Sequence, residues 1–464
     1  MYSDTIAAIA TPPGEGGIGT IRLSGPTSAN VLHSIFRPAS GAAQWPPESH
    51  RLVFGHVVDP LTGESVDEVL AAFMRAPHSY TREDVAEISC HGGTIPLQRA
   101  LNLCLREGAR LAEPGEFTLR AFLNGRLDLA QAEAVLDIVK AKTNEGLRLA
   151  VQQLGGGVST RVRAVRGRLL HALAHLEATI DFPEDDVPPA DVSPDLLPAL
   201  DELRELIAGA GTGIILRQGL RTAIVGRPNA GKSSLLNALL RADRAIVTPI
   251  AGTTRDTLEE VVNVRGVPLV LTDTAGLRAD ADTNDAIERM GIERTRRALS
   301  EADLAMLVFD GSEPLSAADF RVIEAATGQG VKRYIAVLNK SDLPVQLSIA
   351  MLAQHLGESE IVPASAVTEG GTQALEEKLA SLVLGGKVSH SSDEATITSL
   401  RHVDALRRAT EHVEAALASI EAYMPATFVA VDLHSALNIL GEITGETAGE
   451  DLLDEIFRNF CIGK

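Results

Sequence analysis

Cysteine is scarce in this sequence, and long apolar runs are missing. Three cysteines among 464 residues cannot form a disulfide framework, and none shows the paired spacing of a zinc site. No apolar run reaches the length of about 18 residues that a membrane-spanning helix needs. Residues 1–10 lack a basic flank before their short apolar stretch. We therefore expect a cytoplasmic protein with no membrane span, secretion signal or transit peptide.

Positive charge is also in short supply. Lysine and arginine number 42 against 62 aspartates and glutamates, which gives a formal net charge of -20. Since nucleic-acid binding depends largely on basic side chains that neutralise phosphates, the chain as a whole is a poor candidate for a main RNA-binding surface.

Residues 146–176 are a local exception, with five arginines and no acidic residue. The five are Arg148, Arg161, Arg163, Arg166 and Arg168. The stretch is open to three interpretations, namely a solvated helix face, a dimer contact or an RNA contact.

Length and local pattern predict several domains, about two to four at the usual domain size. The pattern changes at three points, which divide the chain into residues 1–120, 121–216, 217–384 and 385–464. Short alternating apolar runs predict a small sheet with one or two helices in the first segment. Apolar residues at three- and four-residue spacing predict helices in the second and fourth segments, including a helix over Asp195–Ala208.

The third segment alternates strands with helices, which predicts a doubly wound sheet with helices on both faces. Neither helical segment is long enough to bury its own apolar stripe, so we expect the two to pack on each other around an inserted third segment. The predicted fold class is an α/β multidomain protein, with an N-terminal α+β domain, an α-helical domain and an inserted doubly wound domain.

The strongest motif is Gly226–Ser233, which matches the phosphate-loop pattern G-x-x-x-x-G-K-[ST]. It follows a β-branched strand and precedes a predicted helix. Its glycines let backbone amides surround a phosphate, and the helix N-terminus favours negative charge. Lys232 is placed to reach the terminal phosphates, and Ser233 is placed to ligate magnesium. The alternative, a glycine turn that happens to precede a helix, is disfavoured by the flanking strand and helix.

Three further motifs follow predicted strands and specify the metal and the base. Asp273 can hold magnesium through water, and Gly276 can present its amide to the terminal phosphate. Asn339–Asp342 ends another strand, and its final carboxylate can accept both donors on the guanine edge. Ser365–Ala366 can support the guanine oxygen through a backbone amide. Each motif alone could be a surface turn, but four in this order predict a guanine nucleotide site.

Hydrolysis requires an oriented water and a positive charge at the transition state. Small GTPases of the Ras type have glutamine directly after the Asp-x-x-Gly motif, but Leu277 occupies that position and cannot orient water. No arginine finger is identifiable. Asn229, with carbonyls from residues 248–254, offers the oxygen ligands of a potassium ion, and Glu288 could act on the attacking water from a distance. The residues alone leave Asn229 open as a turn residue and Glu288 as a solvated helix start.

The phosphate loop is one of a series of motifs that occur in a fixed order along the whole chain. The others are Thr11–Gly14, His91–Gly93, Pro114–Asp128, Asp181–Pro183, Ile250–Asp256, Asp273–Arg278 and Cys461–Lys464. Together they resemble MnmE, also called TrmE, the family of tRNA modification GTPases. Generic bacterial GTPases share the phosphate loop and the Thr-Thr-Arg-Asp stretch, whereas the Cys-Ile-Gly-Lys ending on a GTPase is highly specific.

This resemblance implies a nucleotide site with two metal ions. The potassium ligands it implies are Asn229, Thr248, Ile250 and Thr253. The magnesium ligands it implies are Ser233 and Thr254. The catalytic glutamate it implies is Glu288. The residues it places on GTP are Asn229, Ala230, Gly231, Lys232, Ser233, Ser234, Thr248, Pro249, Ile250, Ala251, Gly252, Thr253, Thr254, Asp273, Thr274, Ala275, Gly276, Asn339, Lys340, Asp342, Ser365 and Ala366.

The resemblance also implies that residues 1–120 are a folate-binding and dimerisation domain. The ligand would be a tetrahydrofolate one-carbon derivative in its 5-formyl or 5,10-methylene form. The folate ligands it implies are Arg22, Glu87, Arg126 and Lys464. Basic side chains suit the acidic tail of folate, and a glutamate can accept the paired donors of a pterin ring. From the residues alone, Arg22 and Arg126 are better explained as surface ion-pair residues.

Cys461 has two interpretations. Free cysteine often behaves as a small buried hydrophobic residue with a structural role. Alternatively, with Lys464 nearby, Cys461 is a catalytic nucleophile for uridine chemistry. We expect it at the folate site, and its role as a nucleophile is a hypothesis.

The function that the resemblance implies is a potassium-activated GTPase in tRNA wobble uridine modification. It would act as a homodimer with the flavoprotein MnmG (GidA), in a heterotetramer-type complex. The product would be an aminomethyl-type (carboxymethylaminomethyl) group at carbon 5 of the wobble uridine of certain tRNAs. The cofactors implied are GTP, Mg²⁺, K⁺ and the folate derivative. The alternative is a ribosome-assembly or RNA-chaperone GTPase without modification chemistry, and a nucleotide-switched scaffold is a third interpretation.

Overall fold

The protein forms two compact units. One contains the described residues up to Leu136 and those from Leu437 onward, and the other contains the described residues between Asp137 and Ala436. The computed structural model describes residues 3–40, 46–181, 191–242, 260–272, 298–328, 333–356, 361–385 and 396–464.

The described residues form thirteen strands and fourteen helices. The strands are β1 (Ile6–Ile9), β2 (Gly16–Ser24), β3 (Phe36–Pro38), β4 (Leu52–Val58), β5 (Ser65–Met74), β6 (Val85–Gly92), β7 (Arg110–Leu111), β8 (Leu220–Val225), β9 (Glu260–Val264), β10 (Val267–Thr272), β11 (Leu304–Asp310), β12 (Tyr334–Asn339) and β13 (Ile361–Pro363). The helices are α1 (Ser28–Ile35), α2 (Thr94–Arg106), α3 (Glu116–Leu123), α4 (Leu129–Lys140), α5 (Asn144–Leu154), α6 (Gly157–Asp181), α7 (Ser193–Gln218), α8 (Lys232–Ala242), α9 (Ala317–Gly328), α10 (Ile349–Leu356), α11 (Gln373–Leu384), α12 (Leu400–Glu421), α13 (Ala426–Thr444) and α14 (Glu450–Arg458). Within these ranges, no helix combines the length and apolarity that a membrane crossing requires.

A sheet with the strand order β3-β4-β5-β6-β2-β1-β7 organises the first unit. Its strand pairs are antiparallel except for β1 with β7. Along β5, the buried Val69, Ala71 and Phe73 alternate with more exposed neighbours, because successive side chains point to opposite faces. Helices α1 and α2 supply apolar side chains, including Leu32 and Leu97, to the buried cluster on this face.

Helix α14 holds the C-terminal end of the chain in the first unit. The rings of Phe457 and Phe460 lie 5.4 Å apart and share a buried cluster with Leu129 of α4. Gly115 comes so close to this helix that a Cβ on it would lie 2.6 Å from the Phe457 carbonyl oxygen. The sequence patterns did not predict α14, which directs the last residues toward the N-terminal sheet.

Helix α7 in the second unit runs over Ser193–Gln218 and is longer than the predicted helix, which ended at Ala208. The predicted end was wrong because tertiary packing overrides the low helix propensity of the glycines beyond it. A Cβ on Gly213 would lie 2.2 Å from the Ile397 carbonyl oxygen, so only glycine permits this approach. Helix α7 also packs against α12, where Arg204 Nη2 lies 2.7 Å from Glu414 Oε1.

The second sheet has the order β13-β12-β11-β8-β10-β9 and is parallel except for β9 with β10. Alternate residues of β11 enter two separate buried clusters: Met306 and Val308 on one face, Leu307 and Phe309 on the other. Helices α8 and α11 contribute to the first cluster, and α9 and α10 contribute to the second. Because helices cover both faces, the predicted α/β multidomain fold with a doubly wound sheet is confirmed. The division into four segments at residues 120, 216 and 384 stays a prediction.

Candidate functional site

The phosphate loop joins the end of β8 to the start of α8, at the carboxyl edge of the second sheet. A Cβ on Gly226 would lie 2.4 Å from the Val308 carbonyl oxygen, so this glycine lets the loop pass close to β11. Asn229 and Gly231 both have positive φ, of 64° and 90°. This left-handed curvature turns the backbone back on itself before α8 begins.

Lys232 lies at the N-terminus of α8, where the helix favours an anion. Its side chain is buried within the loop, and Nζ donates a hydrogen bond to the Arg227 carbonyl oxygen at 3.0 Å. Ser233 follows and is half-buried, and Ser234 is exposed. The loop therefore brings the ammonium and the Ser233 hydroxyl to one helix end, which suits a phosphate chain with a magnesium ion.

The predicted guanine motif contacts the phosphate loop directly. Asn339 Nδ2 donates a hydrogen bond to the Ala230 carbonyl oxygen at 2.8 Å. A Cβ on Gly231 would lie 2.1 Å from that Nδ2 atom, so only glycine permits this contact. Among the described residues, Asn339 Oδ1 is buried without a hydrogen-bond partner. An orphaned polar atom at this position fits a site that is completed by a bound group.

Asp342 and Ser365, which follow separate strands, meet at the predicted guanine end of the site. Ser365 Oγ donates a hydrogen bond to Asp342 Oδ1 at 2.6 Å and so fixes the direction of the carboxylate. The Ser365 amide donates to the Gly371 carbonyl oxygen at 2.8 Å. Since that amide is engaged, Ala366 has the amide of the pair that suits a base oxygen. Asp342 itself is exposed.

Asp310, at the end of β11, is a residue of this site that the motifs did not predict. Its Oδ2 lies 2.5 Å from Lys340 Nζ, and its Oδ1 accepts hydrogen bonds from Ser312. Burial acts to raise the pKa of Asp310, but the Lys340 and Ser312 hydrogen bonds outweigh it and leave the pKa below its ordinary value. The charged carboxylate therefore holds Lys340, which has a φ of 59°, in place beside the phosphate loop. Its position at a strand end was the only signal in the sequence.

Several predicted site residues lie outside the described residues. They are Thr248, Pro249, Ile250, Ala251, Gly252, Thr253, Thr254, Asp273, Thr274, Ala275, Gly276 and Glu288. Of the implied potassium ligands, the structure therefore describes Asn229 alone, and of the implied magnesium ligands it describes Ser233.

A second cluster of predicted residues lies in the first unit, at the β2–β6 pair. Arg22 and Glu87 are directly opposite in register, and Arg22 Nε lies 2.8 Å from Glu87 Oε1. Arg22 Nη1 also donates to the Gly463 carbonyl oxygen at 3.2 Å, across 441 residues of sequence. Glu87 Oε2 has no hydrogen-bond partner among the described residues. The ion pair expected from the residues alone is present, and the C-terminal motif lies against it.

Gly463 gives the C-terminal motif its shape. It has a φ of 93°, and a Cβ on it would lie 2.7 Å from the Ile9 carbonyl oxygen. Lys464 is half-buried, and its amide donates to the Cys461 carbonyl oxygen at 3.2 Å. Cys461 is exposed, so it is not a buried structural cysteine.

The other two cysteines differ sharply from Cys461. Cys90 and Cys104 are buried, and burial raises the pKa of each thiol to about 12. Both thiols therefore stay protonated at neutral pH and behave as core side chains.

Tyr80 connects this cluster to Arg126 and was missed by the sequence patterns. The Arg22 and Arg126 guanidinium carbons lie 5.5 and 4.7 Å from the centroid of its ring. Tyr80 Oη lies 2.9 Å from Thr118 Oγ1, which fixes the ring. Tyr80 therefore joins Arg126 to the Arg22–Glu87 pair through two cation–π contacts. A lone tyrosine in a loop has no motif that could have revealed this role.

Comparisons with known proteins match both parts of the chain. Residues 5–126 match the model of the GTP-binding protein TrmE N-terminus, and residues 129–461 match that of the MnmE helical domain. The chain belongs to the MnmE family of tRNA modification GTPases. This confirms the family that the sequence motifs resemble.

Relatives in this family match over the full length of the chain. The tRNA modification GTPase MnmE of Chloroflexus aurantiacus is 51% identical over 462 residues, which cover 100% of both chains. That of Desulforamulus reducens is 47% identical over 468 aligned residues, again with 100% of both covered. A solved structure of a point variant of Aquifex aeolicus Era bound to GDP.AlF4- is 27% identical, with 42% of this chain and 66% of that chain covered and a TM-score of 0.27.

Proposed function

We propose that this protein is a potassium-activated GTPase that installs a carboxymethylaminomethyl-type group at carbon 5 of the wobble uridine of certain tRNAs. It would do so as a homodimer with a flavoprotein of the MnmG (GidA) type, in the cytoplasm. Membership of the family supports GTP hydrolysis in tRNA modification. The finer statement is supported by two clusters of side chains, one around the phosphate loop and one around Arg22.

At the phosphate loop, the chain's own residues would bind and orient the nucleotide. Lys232 would exchange its hydrogen bond to the Arg227 carbonyl for the terminal phosphates, and Ser233 would ligate magnesium. Bound magnesium neutralises charge that develops on the phosphates. The Asp342 carboxylate, directed by Ser365, would accept the two donors of the guanine edge, which adenine does not offer. The site therefore suits GTP.

At the second cluster, the residues would bind a tetrahydrofolate one-carbon derivative. Glu87 Oε2 is available to accept from a pterin ring, while Oε1 stays paired with Arg22. Arg126 and Lys464 would meet the acidic end of the ligand. When bound, the folate supplies the one-carbon unit. Cys461 is exposed beside this cluster, which is compatible with its proposed role as a nucleophile.

One observation carries the folate part of the proposal, namely the contact between Arg22 Nη1 and the Gly463 carbonyl oxygen. It brings the C-terminal motif of the family against the Arg22–Glu87 pair, so that three elements of the predicted folate site meet. A ribosome-assembly GTPase would have no need of this contact.

Nucleoside analysis of tRNA tests the proposal. Cells that lack this protein should contain unmodified wobble uridine in a subset of tRNAs, and the wild-type gene should restore the modification. Arg22→Gln should fail to restore it while the purified variant still hydrolyses GTP, whereas Arg51→Gln, at an exposed surface ion pair with Glu48, should restore it fully. Normal wobble uridine in the deletion strain would instead favour a ribosome-assembly or RNA-chaperone GTPase.

A further inference from the structure

An open pocket of about 440 Å³ lies beside the Tyr80 ring, within the first unit. Its lining includes His50, His78, Tyr80, Arg82 and Arg126. The volume falls within the range of ligand-binding pockets, roughly 300–1,000 Å³. Arg126 is an expected folate residue, but His50, His78 and Arg82 have no role in any site described so far.

The pocket is lined by cations that the described part of the chain does not neutralise. Arg126 stacks on the Tyr80 ring, and Arg82 Nη1 donates to the Asn124 carbonyl oxygen at 3.0 Å. Neither guanidinium has a carboxylate within ion-pair distance among the described residues. Because both side chains are exposed at the pocket, their remaining donors are available to an acidic ligand.

Glu83 and Asp84, the two acidic residues that follow Arg82, accept hydrogen bonds from groups outside the pocket lining. Glu83 Oε2 accepts a hydrogen bond from Ser24 Oγ at 2.7 Å. Asp84 Oδ1 accepts one from the Ala76 amide at 2.9 Å. Each of these carboxylates therefore has a hydrogen-bond partner other than Arg82 and Arg126.

Backbone geometry fixes two of the lining residues in uncommon conformations. His50 and Arg82 have φ values of 65° and 59°, in the left-handed region that side-chain-bearing residues seldom adopt. Gly125 lies against Arg82, since a Cβ on it would be 3.4 Å from Arg82 Nη1. These positions hold the guanidinium of Arg82 at the pocket, next to the segment that carries Arg126.

We propose that this pocket binds a chain of γ-linked glutamates on a polyglutamylated folate, an inference that rests on the folate part of the proposed function. The Tyr80 ring contacts both Arg22 and Arg126 and also lines the pocket, so the pocket adjoins the cluster that would bind the pterin ring. Arginine binds carboxylates strongly and can do so in bidentate geometry. Arg126 would meet the first glutamate, and Arg82 has donors that the carboxylates of further glutamates could engage.

The test compares 5-formyltetrahydrofolate carrying one glutamate with the same compound carrying three or more γ-linked glutamates. Affinities would be measured by calorimetry on the full-length protein. The longer tail should bind about tenfold more tightly, the size expected of one charge-assisted hydrogen bond. Arg82→Gln should remove that difference without changing affinity for the single-glutamate form, and Arg82→Lys should retain part of it. Arg75→Gln, an exposed arginine of the same loop outside the pocket lining, is the matched control and should change neither affinity.

The outcomes separate this inference from the proposal on which it rests. If the single-glutamate compound binds but the longer tail adds nothing, the pocket proposal is wrong and the folate site stands. If Arg82→Gln weakens both compounds equally, Arg82 belongs to the folate site and the pocket is not a separate subsite. If neither compound binds, the folate site itself is wrong. A fourth result is that wild type binds a short RNA, Arg82→Gln does not, and tail length has no effect on folate affinity. This result would assign the pocket to phosphates instead.

Discussion

Glu116 is a buried carboxylate held between two arginines. Its Oε1 lies 2.5 Å from Arg110 Nη2 and 2.9 Å from Arg120 Nη2. Arg120 is itself fully buried and also meets Asp4. Burial acts to raise the pKa of Glu116, but the Arg110, Glu113 amide and Arg120 hydrogen bonds outweigh it and hold the pKa below its ordinary value. A carboxylate that the folded state keeps charged makes stability depend on pH.

Glu116→Gln should flatten that dependence. Because the folded pKa is depressed, the stability that Glu116 contributes is complete above its unfolded pKa of about 4.3 and is lost as pH falls through the lower folded pKa. The variant should therefore be less stable than wild type at pH 7, and the gap should narrow below about pH 4. Urea midpoints measured from pH 7 to pH 3 check this. Glu68→Gln, at an exposed strand residue, should show no such gap at any pH.

At the scale of elements, helix α7 shows how packing decides where a helix ends. Its glycines have low helix propensity, each costing about 1 kcal/mol relative to alanine in a helix interior. Gly213 nevertheless lies within the helix because the backbone at Ile397 needs the space that a side chain would occupy. Gly211 meets nothing within 4 Å, so no contact requires a glycine there.

Alanine at these two positions should have opposite effects. Gly213→Ala should destabilise the protein by about 1–3 kcal/mol, because the new Cβ would force α7 away from the backbone at Ile397. Gly211→Ala should stabilise it by about 0.5–1 kcal/mol through helix propensity. Thermal or urea unfolding of the two variants measures both effects. Equal changes in the same direction would show that α7 does not make the close contact at Gly213.

At the scale of the whole molecule, acidic residues outnumber basic ones, and some arginines are already engaged in ion pairs. Both facts bear on which positive charge could assist hydrolysis. The net charge is -20, and arginines of the 146–176 stretch are already paired: Arg148 Nε lies 2.9 Å from Glu145 Oε2, and Arg161 contacts Glu202 and Glu205. These pairs favour a structural role for this part of the stretch. Since no arginine finger is identifiable from the sequence, the proposed potassium ion would supply the transition-state charge, with Asn229 of the phosphate loop as one proposed ligand.

GTP hydrolysis should therefore be faster in potassium than in sodium at the same ionic strength. We expect a difference of about tenfold or more, since an arginine finger, the charge that the ion replaces, is worth about 10³–10⁵ in rate. Steady-state phosphate release from the full-length protein measures it. Asn229→Ala should remove most of the difference, while Lys232→Ala should abolish hydrolysis in both salts. Equal rates in the two salts would rule out the potassium site.

The nucleotide site and the alternation of the second sheet could be predicted from the sequence because each depends on residues close together in the chain. A phosphate loop is eight consecutive residues, and its chemistry follows from their order. The strands of this sheet are buried on both faces, so their apolar runs are continuous and easily recognised. The family followed from the order of several such short motifs.

Contacts between distant segments were decided only by the tertiary structure. Arg22 and Gly463 meet across 441 residues because α14 carries the chain end back to β2. Tyr80 contacts both Arg22 and Arg126, and Asp310 contacts Lys340. None of these residues lies in a motif that marks its partner, since a hydrogen bond or a ring contact depends on position in space. The sequence by itself therefore determined which chemistry the protein carries, and the fold determined which side chains surround it.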